Sequence, residues 1–133
     1  MKLLSIPLFL HSVPAGFPSP ADDYMERSLD LNIYLIKHPA ATYMARARGD
    51  SMEGSGIYDG DLLIVDRSLE AQQGQIIIAA IDGQLTCKIL DKQNRCLRAA
   101  NNNYSPIKLS EFSELIIEGV VIHSIRHHIT PQS

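Results

Sequence analysis

Two short apolar runs constrain the fold of this chain more than any other feature. Leu62-Leu63-Ile64-Val65 and Ile76-Ile77-Ile78-Ala79-Ala80-Ile81 carry no polar interruption. Both are shorter than the ~10–12 residues that a helix of this kind uses, so they read as strands with both faces buried. The second run ends at Asp82-Gly83, a dipeptide that tolerates the positive φ angles of a tight hairpin turn. Gln84 to Leu90 then returns antiparallel. A chain built around this hairpin is mainly β.

The flanking sequence extends that pattern. Tyr43 to Arg48 alternates with period two and places its arginines on one face. Gly49, Gly54, Gly56 and Asp59-Gly60 turn the next stretch into a chain of turns. Arg95 to Ala99, Leu115 to Ile117 and Val120 to Arg126 supply further strands. Ser28 is placed to cap a short helix running to about Lys37, with Leu29, Ile33 and Ile36 on one side and Pro39 closing it. Before that, Pro7, Pro14, Pro18 and Pro20 make Met1 to about Arg27 irregular, in the manner of an extended, flexible arm. The expected architecture is a compact, mainly β domain of about seven short strands with one short helix. Residues 1–27 form the arm and residues 28–133 the domain.

Composition sets aside several classes of function. A net charge of −3 and 20% charged residues give no basic footprint, so sequence-specific DNA binding is not expected. No stretch approaches the ~20 apolar residues of a membrane span. Lys2, the apolar run Leu3 to Leu10 and Val13-Pro14-Ala15 imitate a secretory leader, but Pro7 and His11 interrupt the imitation. The expectation is a cytoplasmic protein. Cys87 and Cys96 sit in or beside apolar runs and read as reduced core residues. His127-His128 near the end has no further ligand placed beside it and reads as a polar tail, so neither a metal site nor a cofactor is expected.

One pair of residues carries chemistry. Ser51 lies in the tight loop Gly49-Asp50-Ser51-Met52, and Lys88 lies in the otherwise apolar strand Leu85-Thr86-Cys87-Lys88-Ile89-Leu90. A serine becomes a good nucleophile when a base takes its proton, and a lysine is such a base when neutral. A free lysine titrates near 10.4, so at pH 7 only ~4 in 10,000 are neutral. Bringing that value to 7 disfavours the charged form by about 4.6 kcal/mol, a shift within reach of burial. The blander alternatives are a turn-capping serine and a lysine whose stem lies on apolar surface while its head reaches water.

Further segments widen the comparison. Gly16-Phe17-Pro18-Ser19-Pro20-Ala21, Asp30-Leu31-Asn32, His38-Pro39, Ala41-Thr42-Tyr43 and Gly49-Asp50-Ser51-Met52 stand in order. Asp59-Gly60-Asp61 with Leu62 to Asp66, Ile78 to Gly83, Thr86-Cys87-Lys88, Tyr104-Ser105-Pro106-Ile107 and Gly119 to His123 come after them. Together they resemble the LexA-type self-cleaving serine peptidases, and among them the UmuD-like proteins of SOS mutagenesis. The resemblance covers nearly the whole chain from Pro14 onward.

It implies a compact LexA/UmuD-like peptidase β fold that cuts its own N-terminal arm. Carried over, Ser51 is the nucleophile, Lys88 the general base, and Ala15-Gly16 the scissile bond. The backbone amides of Asp50 and Ser51 are the implied oxyanion donors. The implied partners are a second copy of the chain, a RecA nucleoprotein filament that promotes cleavage, and the catalytic subunit of an error-prone translesion DNA polymerase in the bacterial DNA-damage response. A repressor of this type needs a helix-turn-helix before the cut, which the fifteen residues preceding Gly16 cannot hold. The other competing expectation is a non-catalytic interaction module of the same fold that binds a polymerase or another partner.

Overall fold

The computed structural model describes residues 5–9, 25–111 and 114–130. Ala15, Gly16 and the proline-rich run to Pro20 lie outside the described residues. Contacts divide the chain into two units, one ending at Pro39 and the other starting at Ala40.

In the first unit, β1 (Ser5–Phe9) pairs antiparallel with β2 (Met25–Asp30). These segments are therefore not the irregular chain that the prolines suggest. Pro7 sits in a two-stranded ribbon opposite Ser28, where a strand has an outer edge that needs no N–H donor. The same pairing displaces the expected helix start. Residues through Asp30 are held extended, so α1 spans only Leu31–Leu35, and Asp30 rather than Ser28 caps it by accepting the Asn32 N–H at 2.9 Å. The helix ends when Ile36 turns extended, before His38-Pro39.

The second unit holds a seven-stranded sheet, β3 (Thr42–Arg46), β4 (Leu62–Asp66), β5 (Ile76–Ile81), β6 (Gln84–Asp91), β7 (Cys96–Arg98), β8 (Ile107–Lys108) and β9 (Leu115–Ile125). Its spatial order is β3-β4-β9-β5-β6-β7-β8, and each neighbouring pair is antiparallel. The β5–β6 turn is the expected hairpin: Ile81 faces Gln84, and Asp82 and Gly83 both have positive φ, 47° and 87°. The two segments Leu115–Ile117 and Val120–Arg126 prove to be one strand. Its register slips opposite Ile78/Ala79 and opposite Ile64/Val65, and Gly119 takes φ +151°. A Cβ there would stand 2.6 Å from Val65 Cγ1, so glycine lets the backbone pass. Tyr43 Oη, at 3.2 Å, donates to the Glu118 carbonyl beside that slip.

The central strands carry two apolar clusters. Ile77 and Ala79 of β5 join Leu90, Leu97 and Val120 in one. Ile78 joins Met52, Ile57, Leu63 and Val65 in the other. β5 is thus buried on both faces, as its unbroken apolar run requires. The second cluster also pins the segment that carries Ser51, because Met52 and Ile57 reach into it from that segment.

Candidate active site

Ser51 leads into a turn anchored at both ends. Gly49, at φ +85°, donates to Asp59 Oδ1 at 2.7 Å and ends β3's continuation. Met52, only 3% exposed, drives its side chain into the core one position after the serine. A single 3-10 turn, Glu53–Ser55, follows. Burying Met52 is worth about 1.5–3 kcal/mol, and it fixes the backbone next to the Ser51 hydroxyl.

Lys88 comes from the middle of β6, opposite Ile77 of β5. Its Nζ lies 3.2 Å from Ser51 Oγ, 3.1 Å from Thr86 Oγ1 and 3.2 Å from the Cys87 carbonyl oxygen. Thr86 stands two residues before Lys88 and so shares its face of the strand. Among the described residues, Lys88 is the titratable side chain bonded to Ser51. Burial lowers the Lys88 pKa below the usual lysine value, partly opposed by the neighbouring Cys87 thiol. The same burial pushes Cys87 up to about 11, so that thiol stays protonated beside the amine.

The three contacts orient the amine. As an ammonium, Lys88 has three N–H groups for three oxygens. As a neutral amine it has two N–H groups and one lone pair. The Cys87 carbonyl can only accept, and the Thr86 hydroxyl is free to accept, so those two take the N–H groups. The lone pair is then left for the Ser51 O–H. Sequence reasoning does not single out Thr86, although a hydroxyl two positions before a buried lysine on one strand face is a legible signal.

A cleft of about 290 Å³ opens in front of the pair. Ser51, Thr86, Cys87 and Lys88 line it together with Arg48 and Leu63. Its apolar depth lowers the local dielectric, which is what a neutral lysine needs. Among the described residues, the backbone N–H groups of Asp50 and Ser51 make no hydrogen bond. The Asp50 carbonyl accepts from Asn101 Nδ2 at 2.9 Å, and the Ser51 carbonyl accepts from Ala100 N at 2.8 Å. Sequence reasoning misses these contacts from Ala100 and Asn101 as well.

A buried ion pair braces the far side of the turn. Asp61, 3% exposed, accepts from Arg126 Nε at 3.0 Å, from Arg126 Nη2 at 2.8 Å and from Tyr58 N at 2.9 Å. Arg126 also donates to the Gly56 carbonyl at 2.8 Å and lies over the Tyr58 ring at 4.0 Å. The guanidinium holds the Asp61 carboxyl below the usual carboxylate range, against the upward pull of burial. The end of β9 is thereby tied to the residues that come after Ser51.

A serine hydroxyl within hydrogen-bond reach of a partly desolvated lysine, in a cleft on a β domain, is an arrangement suited to serine–lysine peptidase chemistry. The S24-like peptidase model matches residues 7–122, and the chain belongs to that family. It is 43% identical over 129 residues to the protein MucA of Salmonella typhimurium, covering 96% of this chain and 88% of the relative. It is 48% identical over 123 residues to the protein SamA of the same species, covering 90% and 86%. A LexA repressor from Shewanella is 39% identical over 118 residues, 86% of this chain and 57% of the repressor. Within the family the chain is a UmuD-like self-cleaving serine peptidase. No helix among the described residues is long and apolar enough to cross a membrane.

Proposed function

We propose that Ser51 and Lys88 carry out the self-cleavage, and that the bond cut is Ala15-Gly16 in the arm formed by residues 1–27. The observation that carries this reading is the 3.2 Å contact between Lys88 Nζ and Ser51 Oγ, made by a lysine whose burial favours the neutral form. Neutral Lys88 takes the Ser51 proton as Oγ attacks the Ala15 carbonyl carbon. The Asp50 and Ser51 N–H groups receive the charge that develops on the carbonyl oxygen. Lys88, now an ammonium, returns the proton to the Gly16 nitrogen as the C–N bond breaks. Water activated by the same amine then hydrolyses the Ala15 ester and frees Ser51.

Tethering supports the arm as substrate, because an attached peptide reacts at a high effective concentration. Ala15 and Gly16 are small enough for close backbone approach, and the flanking prolines favour the extended form that a protease binds. The peptidase machinery lies wholly within residues 28–133. Two copies of the trimmed chain associate, a RecA nucleoprotein filament promotes the cut, and the trimmed dimer joins a translesion polymerase in the bacterial cytoplasm. The filament acts in this reading by completing the desolvation of Lys88, which the cleft leaves only partly enclosed.

The test is incubation of the purified chain at mildly alkaline pH, with and without activated filament, followed by mass spectrometry. Release of residues 1–15 is expected, faster with filament, and absent in Ser51→Ala and Lys88→Ala. An intact chain under all conditions, or cutting that survives Ser51→Ala, overturns the proposal.

A further inference from the structure

The segment Ala100 to Tyr104 is seated on the Ser51 turn by several independent bonds. Ala100 N donates to the Ser51 carbonyl, and Gly54 N donates to the Ala100 carbonyl at 2.7 Å. Asn101 Nδ2 donates to the Asp50 carbonyl at 2.9 Å, and Tyr104 Oη donates to Asp50 Oδ1. The fit leaves no slack at Gly54, where a Cβ would stand 2.5 Å from the Ala100 carbonyl oxygen. The side-chain amide of Asn101 has one possible orientation here, because its Oδ1 accepts from Asn103 N at 2.9 Å while Nδ2 faces Asp50.

The Asp50 carbonyl and the Ser51 N–H belong to one planar trans peptide, so they point in opposite directions. Residues 100–104 do not line the 290 Å³ cleft, whereas Gly49, Ser51 and Met52 do. A carbonyl turned toward Asn101 therefore turns the Ser51 N–H away from that segment and toward the cleft. Accepting a bond at the carbonyl also polarises the peptide and strengthens its N–H as a donor.

We infer that Asn101 is a positioning residue for the oxyanion site: its amide locks the Asp50–Ser51 peptide with the N–H presented to the reacting carbonyl, and Tyr104 holds the preceding residue by its side chain. This rests on the assignment of the Asp50 and Ser51 amides as oxyanion donors in self-cleavage. Asn101 acts on the charge that appears in the transition state. It does not touch Lys88, so its loss leaves the titration of the base unchanged.

The test compares the first-order rate of release of residues 1–15 from the full chain across the pH range in which wild type cleaves. Asn101→Leu keeps the size and neutrality of the side chain and removes the donor facing Asp50. It is expected to lower the rate about tenfold at every pH, a fraction of the roughly 100-fold loss that removal of a whole oxyanion donor causes. The midpoint of the pH profile is expected to stay in place. Tyr104→Phe is expected to give a smaller loss with the same fixed midpoint, and Asn102→Ala, one position along, to cleave at the wild-type rate. A peptide boronate, which forms a tetrahedral adduct on the serine, is expected to bind Asn101→Leu more weakly by the same factor as the rate falls.

Wild-type cleavage and boronate binding in Asn101→Leu overturn the inference while leaving the Ser51–Lys88 reading intact. So does a rate loss accompanied by a moved midpoint, which would place the effect on Lys88. Failure of the wild-type chain to cleave removes both.

Discussion

Thr86→Val tests how Lys88 is tuned. Valine keeps the branched shape and removes the hydroxyl that lies 3.1 Å from Lys88 Nζ. The charged amine loses more than the neutral one, because a hydrogen bond to a charged group contributes about 1.5–3 kcal/mol and one between neutral groups about 0.5–1.5. The difference, about 1 kcal/mol, corresponds to a further fall in the Lys88 pKa of roughly 0.7 unit. The midpoint of cleavage against pH should therefore move down by about that amount. The plateau rate at high pH should also fall, because the neutral amine keeps only the Cys87 carbonyl to aim its lone pair; a loss of about 1 kcal/mol is roughly fivefold. The assay is single-turnover release of residues 1–15, quantified by mass spectrometry over a pH series. A midpoint that stays put or rises would show that Thr86 does not stabilise the Lys88 ammonium, and the orientation argument would fail with it.

The remaining predictions address the scaffold and the cleft. Gly54→Ala brings a Cβ within 2.5 Å of the Ala100 carbonyl, which should cost about 1–3 kcal/mol; a lowered Tm together with slower cleavage is expected, and an unchanged Tm refutes the close fit. Arg126→Met leaves the Asp61 carboxylate buried without its guanidinium, and a lowered midpoint in a denaturant titration is expected. Because Asp61 is held below the usual carboxylate range, the stability from this pair is present above that range and lost as pH falls through the folded-state value. The stability advantage of wild type over Arg126→Met should therefore shrink in acid, and a constant difference counts against the pairing. With Cys87 pushed up to about 11, its thiolate fraction at pH 8 falls on the order of a hundredfold below that of a free cysteine. Iodoacetamide should label Cys87 correspondingly more slowly in the native than in the unfolded chain, and equal rates would refute the burial.

Much of the fold is legible in local sequence. The unbroken runs of β4 and β5 and the Asp82-Gly83 turn specify the central hairpin through side-chain period and φ preference alone. Ser51 and Lys88 are visible for a similar reason, since each is chemically out of place in its segment. The features that local sequence hides depend on pairing between distant segments. β1 and β2 hold one another extended, which overrides the cap signal at Ser28 and shortens the helix. The continuity of β9 depends on Gly119 passing close to Val65, a contact no local pattern records. Asn101 and Tyr104 lie in a polar loop whose composition suits any turn, and their role appears only when the fold lays that loop against Ser51. Asp61 and Arg126 likewise look like ordinary surface charges until β4 and β9 become neighbours.

The central claim is that burial makes Lys88 the base that activates Ser51. It is tested most directly by following the Lys88 Cε chemical shift of the wild-type chain by NMR from about pH 7 to about pH 11, with the cleavage rate recorded in the same samples. The expected result is a titration midpoint below the usual lysine value that coincides with the midpoint of the rate profile. A Lys88 that titrates near 10.4 like a free lysine, or a cleavage rate that rises with a different midpoint, would contradict it.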